Sequence, residues 1–96
     1  MRVMLRAEIP VEAGNAAVKS GEIAKVIGNF VETAKPESIH FTIADGMRTM
    51  FAVFDLASVV DMPRIGEPFF MKLNASMKIS PCMDLDDLQK GLAALG

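Results

Sequence analysis

Ser38-Ile39-His40-Phe41-Thr42-Ile43-Ala44-Asp45-Gly46-Met47-Arg48-Thr49-Met50-Phe51-Ala52-Val53-Phe54-Asp55 decides the fold. Two alternating runs flank Asp45-Gly46, and Asp-Gly between alternating runs marks a type I′ hairpin turn. A two-residue loop pairs Ala44 with Met47, so every facing pair sums to 91. Ile39, Phe41 and Ile43 then share one face with Ala52, Met50 and Arg48. His40 pairs with Phe51, and Ser38 with Val53, on the other face.

Working outward, residues 2–9 alternate as well. Val3, Leu5, Ala7 and Ile9 fall on one side, with Arg2, Met4, Arg6 and Glu8 on the other, the pattern of a half-buried strand. Pro10 ends it. Gly14-Asn15 offers a loop and an N-cap, and residues 16–34 carry apolar positions at three- and four-residue steps, which predicts one long helix. Gly21 and Gly28 share a stripe with Ala17 and Ala24, as expected of a helix lying close to a neighbour. Pro36 stops it. A short helix is expected from about Asp61, limited by Pro68, and the alternation of Met71, Leu73, Ala75, Met77 and Ile79 predicts a strand over 70–80 closed by Pro81. Asp84 caps a last helix with Leu85, Leu88, Leu92 and Leu95 on one stripe, and Asp86 and Asp87 in its first turn suit the helix dipole.

Strand, helix, strand, strand, helix, strand, helix is the order of a ferredoxin-like split β-α-β-β-α-β fold of the α+β class, with an extra C-terminal helix. Right-handed crossovers place both main helices on one sheet face and leave the other uncovered. The uncovered face is expected to hold Met4, Arg6, Glu8, His40, Thr42, Thr49, Phe51, Val53, Lys72, Asn74, Ser76 and Lys78. Apolar at its centre and charged around it, this face fits a partly wet interface with a second copy of the chain. A domain this small gains core by dimerising.

Composition bounds the function. With 96 residues, 51% of them hydrophobic, and a net charge of −2, the chain reads as a single domain spanning 1–96, too apolar for disorder. The ten Lys and Arg do not outnumber the twelve Asp and Glu, and the four Arg are scattered, which argues against nucleic acid. No apolar run is long enough for a membrane span or a secretory signal, so the cytoplasm is the expected compartment. One Cys and one His cannot furnish a metal site, and no cofactor is expected. Gly14 to Ser20 lacks the Gly directly before Lys19 that a phosphate-cradling loop needs. Cys82 has no activating base near it in sequence and reads as an inert thiol.

The candidate site therefore lies on the uncovered face. His40 is the one side chain whose ordinary titration falls near neutrality. With Arg6, Phe51 and Asn74 it could bind a small anionic or carbonyl compound. Three functions stay open: a small-molecule-binding or regulatory module; a cofactor-free enzyme on a small organic acid, with His40 as acid/base and Arg6 or Asn74 holding substrate; and a pure interaction module.

Ile9-Pro10-Val11-Glu12-Ala13-Gly14-Asn15-Ala16-Ala17, and Glu67-Pro68-Phe69-Phe70 through Asn74-Ala75 to Pro81 and Asp87-Leu88, resemble a family of short, uncharacterised bacterial proteins of the dimeric α+β-barrel superfamily. The resemblance implies sheet-to-sheet homodimers enclosing a cleft between helices and sheet or at the interface. Val53-Phe54-Asp55-Leu56 with Ser58 is similar in its strand-and-turn pattern to the muconolactone isomerases. The quinol-type monooxygenases are a third relative by architecture.

Overall fold

The computed structural model describes residues Met1–Gly96. Strand β1 (Arg2–Ile9) runs into helices α1 (Val11–Ser20) and α2 (Glu22–Ala34), hairpin strands β2 (Ser38–Ala44) and β3 (Met47–Asp55), a 3-10 turn at Val59–Asp61, helix α3 (Met62–Leu73), strand β4 (Ser76–Pro81) and helix α4 (Leu85–Ala93). The sheet order is β2-β3-β1-β4, with every neighbouring pair antiparallel. This is the ferredoxin-like arrangement of the α+β class.

The hairpin follows the register that its turn dictates. Ala44 pairs with Met47, Phe41 with Met50 and His40 with Phe51. Asp45 and Gly46 have φ of 52° and 76°, the two positive values a type I′ turn requires. β1 joins β3 with Val3 opposite Phe54 and Arg6 opposite Phe51. Alternation along β1 buries Val3, Leu5, Ala7 and Ile9 and leaves Arg2, Met4, Arg6 and Glu8 on the opposite face. The buried set forms one core with Met50, Ala52 and Phe54 of β3 and with Ala17, Val26, Phe30, Ile65, Phe69 and Leu73 of the helices. All three packed helices therefore lie on one side of the sheet. Phe30 is the centre of that core. Its ring meets Phe54 edge-on at 5.6 Å and Phe69 at 5.7 Å.

Two helix boundaries differ from the periodicity reading. The first helix begins at Val11, directly after Pro10, whose carbonyl accepts from the Gly14 amide at 2.8 Å. Asn15 is thus inside α1 and no cap. The long helix is also broken, because Gly21 takes φ 81° and ends α1 while opening α2. Glycine is the residue that enters this left-handed region without strain. Of the small-residue stripe only Ala17 is buried. Ala24 and Gly28 face solvent.

A further difference lies at α3. Pro68 sits inside the helix, and residues 70–73, expected in a strand, are helical. Pro68 forgoes one backbone hydrogen bond and crowds the preceding turn, at about 3 kcal/mol. Ile65, Phe69 and Leu73, spaced four apart, are all buried by the helix. Their burial is worth roughly 1.5–3 kcal/mol each, which outweighs the proline. Asn74, at φ 53°, ends α3, with Asn74 N–H donating to Phe70 and Ala75 N–H to Phe69, both at 3.1 Å. Met71, expected in the core, is 75% exposed. Phe41 and Ile43 point to the helix side as expected, yet stay exposed because β2 lies at the edge of the sheet.

α4 begins as expected. Asp87 N–H donates to Asp84 Oδ1 at 2.8 Å, and Asp84 N–H to Asp87 Oδ2 at 3.3 Å, a reciprocal capping box. Arg2 gathers this turn: Nη1 lies 3.2 Å from Asp84 Oδ2 and 3.1 Å from Asp87 Oδ2, while Nε donates to Glu37 at 2.6 Å. The Glu37 hydrogen bond and charge, aided by both aspartates, push the Arg2 guanidinium up from its ordinary value. The Asp87 backbone hydrogen bond, and then the Arg2 charge, hold the Asp84 carboxyl below its ordinary value against some desolvation. A lowered folded-state pKa means the cap contributes fully above the unfolded carboxylate value and is lost as pH falls through the lowered one. The pH-dependent movement of the Leu85–Leu88 amide shifts that follows Asp84 is expected to centre below the ordinary carboxylate value. Movement centred above the ordinary carboxylate value would contradict the pairing. No helix is long and apolar enough to cross a membrane.

Candidate functional site

Three of the four side chains singled out in the sequence come together. Pairing sets Arg6 beside Phe51 and Phe51 beside His40, one row across β1, β3 and β2 on the open sheet face, with Lys78 beyond Arg6 on β4. The Arg6 guanidinium carbon stands 5.4 Å from the Phe51 ring centroid, a cation–π contact. Asn74 does not join the row. It is spent as the left-handed cap of α3, and Lys72, also placed on this face by the strand reading, is helical and pairs with Glu22 at 3.2 Å.

The row is electrostatically closed. Arg6 Nε lies 2.8 Å from Glu8 Oε1, although that N–H is buried and not aimed at the oxygen. Arg6 Nη2 donates to Asp45 Oδ2 at 3.2 Å. With two carboxylates already beside it, this cation has little left for an incoming anion. His40 is exposed and no protein group is hydrogen-bonded to its ring. An activating or orienting partner, which an acid/base imidazole uses, is not there. No three His, Cys, Asp or Glu side chains converge in metal-binding geometry.

The other face of the sheet has two concavities. One is a cleft of about 180 Å³ where α2 and α3 meet β2 and β3, walled by Ile23, Ile27, Phe41, Met50 and Phe69. Arg48 is its cation. The register that set Ile43 opposite residue 48 places this arginine on an otherwise apolar face. Its Nη2 donates to Asn15 Oδ1 at 3.1 Å, and its Nη1 lies where a Cβ on Gly14 would come within 2.6 Å. Gly14 thus leaves room for the guanidinium against α1. Arg2, Arg6 and Arg64 each pair with a carboxylate, whereas Arg48 has none. Sequence reasoning passed over Arg48. The available signal was an arginine in phase with Phe41, Ile43 and Met50. The second concavity, about 350 Å³, is a groove between α3 and β4 lined by Met62, Pro63, Gly66, Phe70, Met77 and Ile79, with Glu67 as its one charge.

Fold and site together define a ferredoxin-like α+β domain with a single acid-free cation at an apolar helix-side cleft. No protein-family model and no curated protein matches the chain. Among solved structures it is similar to MupZ from Pseudomonas fluorescens, at 19% identity and a TM-score of 0.48, over 98% of this chain and 82% of that one.

Proposed function

We propose that this chain is a homodimeric small-molecule-binding module whose ligand is a small carboxylate with an apolar body, held in the helix-side cleft by Arg48. The observation that carries the reading is the cation without an acid. A guanidinium whose protein partner is one neutral amide retains donors for a carboxylate, and charge-assisted pairs are roughly twice as strong as neutral hydrogen bonds. The walls supply the apolar part of recognition. The cleft, at about 180 Å³, lies below the ~300–1,000 Å³ of drug-sized sites, which suits a compact monocarboxylate. The open sheet face takes the second copy: Met4, Phe51 and Val53 remain incompletely covered there, ringed by charges that already pair within the chain. An enzymatic reading has less support, since His40 and Arg6 stand on the sheet face away from the cleft and Asn74 is the left-handed cap of α3.

Calorimetric titration with benzoate and hexanoate tests the proposal. Wild type is expected to bind at least one of them. Arg48→Met should weaken binding by about 10- to 150-fold, the loss of 1.5–3 kcal/mol from a charged hydrogen bond, while Arg6→Met leaves it unchanged. Equal losses in the two variants, or no binding of any small carboxylate by wild type, would overturn it.

A further inference from the structure

α4 has no place to put its apolar face. Leu85, Leu88, Leu92 and Leu95 fall at i, i+3, i+7 and i+10 and are 40–83% exposed, and no residue of the helix is buried. Such anchors read as a helix made to lie in an apolar groove. The chain has such a groove, the one between α3 and β4 on the helix side of the sheet. Helix and groove do not meet within one chain. Three residues, Cys82 to Asp84, link β4 to α4, and both ends of that link are pinned: Cys82 N–H donates to the Arg2 carbonyl at 3.1 Å, and the Arg2 side chain clamps Asp84 and Asp87. α4 is thus tied to the Arg2 end of β1, and none of its residues lines its own groove.

The chain as a whole exposes more surface than a compact domain of its size. The chain exposes 6236 Å², against about 5,400 Å² for a compact monomer of its mass. The excess, roughly 800 Å², is of the size that one partner contributes to a standard stable interface. The molecule is also 54 Å long and 17 Å thick, the shape of a domain with a projecting arm.

We propose that α4 is an exchange arm, the leucine stripe of one copy seating in the α3–β4 groove of a second copy, and reciprocally. The two-fold symmetry of a dimer makes both seats at once, because each chain offers one helix and one groove. The inference rests on the homodimer reading but not on the ligand cleft, and it adds a contact distinct from the sheet face.

Thiol pairing tests the arm directly. In full-length chains carrying Cys82→Ser, one population bears Leu92→Cys and the other Phe70→Cys, and the two are mixed under mild oxidation. A disulfide joining the two different chains is expected, mapped by peptide mass. Pairing only between two Leu92→Cys chains, or none, would overturn the proposal. Sedimentation supplies the second readout. Leu88→Asp with Leu92→Asp should weaken dimerisation roughly 100-fold, as loss of apolar anchors does, with the far-UV circular dichroism of the dissociated chain preserved because no residue of α4 is part of the buried core. A dimer as tight as wild type in that variant would sink the arm while leaving the sheet interface standing. Met4→Asp with Val53→Asp gives the converse: undiminished dimerisation there removes the sheet reading and leaves the arm.

Discussion

Phe30→Ala is expected to remove about 3–5 kcal/mol of stability, the usual cost of emptying a buried phenylalanine site. Phe30 carries two edge-to-face contacts, with Phe54 of β3 and Phe69 of α3, and is 3% exposed. Each such pair adds ~0.5–1.5 kcal/mol beyond area burial, so the loss should fall toward the upper end. No neighbour can close the hole easily, because the two rings meet Phe30 from different elements. A domain of this length has about 5–14 kcal/mol in total. The variant should therefore melt at least ~12 °C lower, at 4–8 °C per kcal/mol for a small domain. Urea unfolding checks this against Met71→Ala, whose side chain is 75% exposed. Similar midpoints for the two variants would contradict the core described above.

A second large effect distinguishes helix from strand across residues 70–73. Leu73→Ala should cost about 2–5 kcal/mol, since Leu73 is fully buried on the inner stripe of α3. Met71→Ala should fall within ±0.5 kcal/mol, as exposed substitutions do. A strand would put both side chains on one face and make them comparably costly. Two chemical denaturation curves decide between these geometries, and a Met71 penalty near that of Leu73 would restore the strand.

The parts of this fold legible in the sequence are those where one local rule acts alone. Asp45-Gly46 forces a two-residue turn, and from it the whole β2–β3 register follows, including Arg6, Phe51 and His40 in one row once β1 is added. The capping box at Asp84 is similarly self-contained. Reading failed where two rules compete. Met71, Leu73 and Ala75 alternate as a strand would, while Ile65, Phe69 and Leu73 repeat at helical spacing through a proline. Tertiary burial of the second set settled it, and burial is not visible in a window of ten residues. The same holds at Gly21, whose position between two helical patterns looks like a tolerated glycine until its positive φ is seen.

The candidate site was half legible. Alternation put Arg6, Phe51 and His40 together, but the acids that neutralise Arg6 come from its own strand and from the distant turn. Asn74 was lost with the strand boundary, because a left-handed cap and a strand interior are both open to asparagine in sequence. Arg48 was in view as a residue in phase with an apolar face. That it lacks a carboxylate is a statement about every acid in the chain, and only three-dimensional placement supplies it.

β2 brings a colloidal consequence. Ser38-Ile39-His40-Phe41-Thr42-Ile43-Ala44 is the outermost strand of the sheet, with one row of backbone amides and carbonyls unmatched. It contains no Lys, Arg, Asp, Glu or Pro, the residues by which edge strands discourage accretion of foreign strands. Phe41 and Ile43 are 57% and 79% exposed on it. Seven apolar-rich, nearly uncharged residues at an open edge are a nucleus for cross-β stacking. A single charge placed on that strand, as in Ile43→Lys, is therefore expected to raise the protein's resistance to fibrillation.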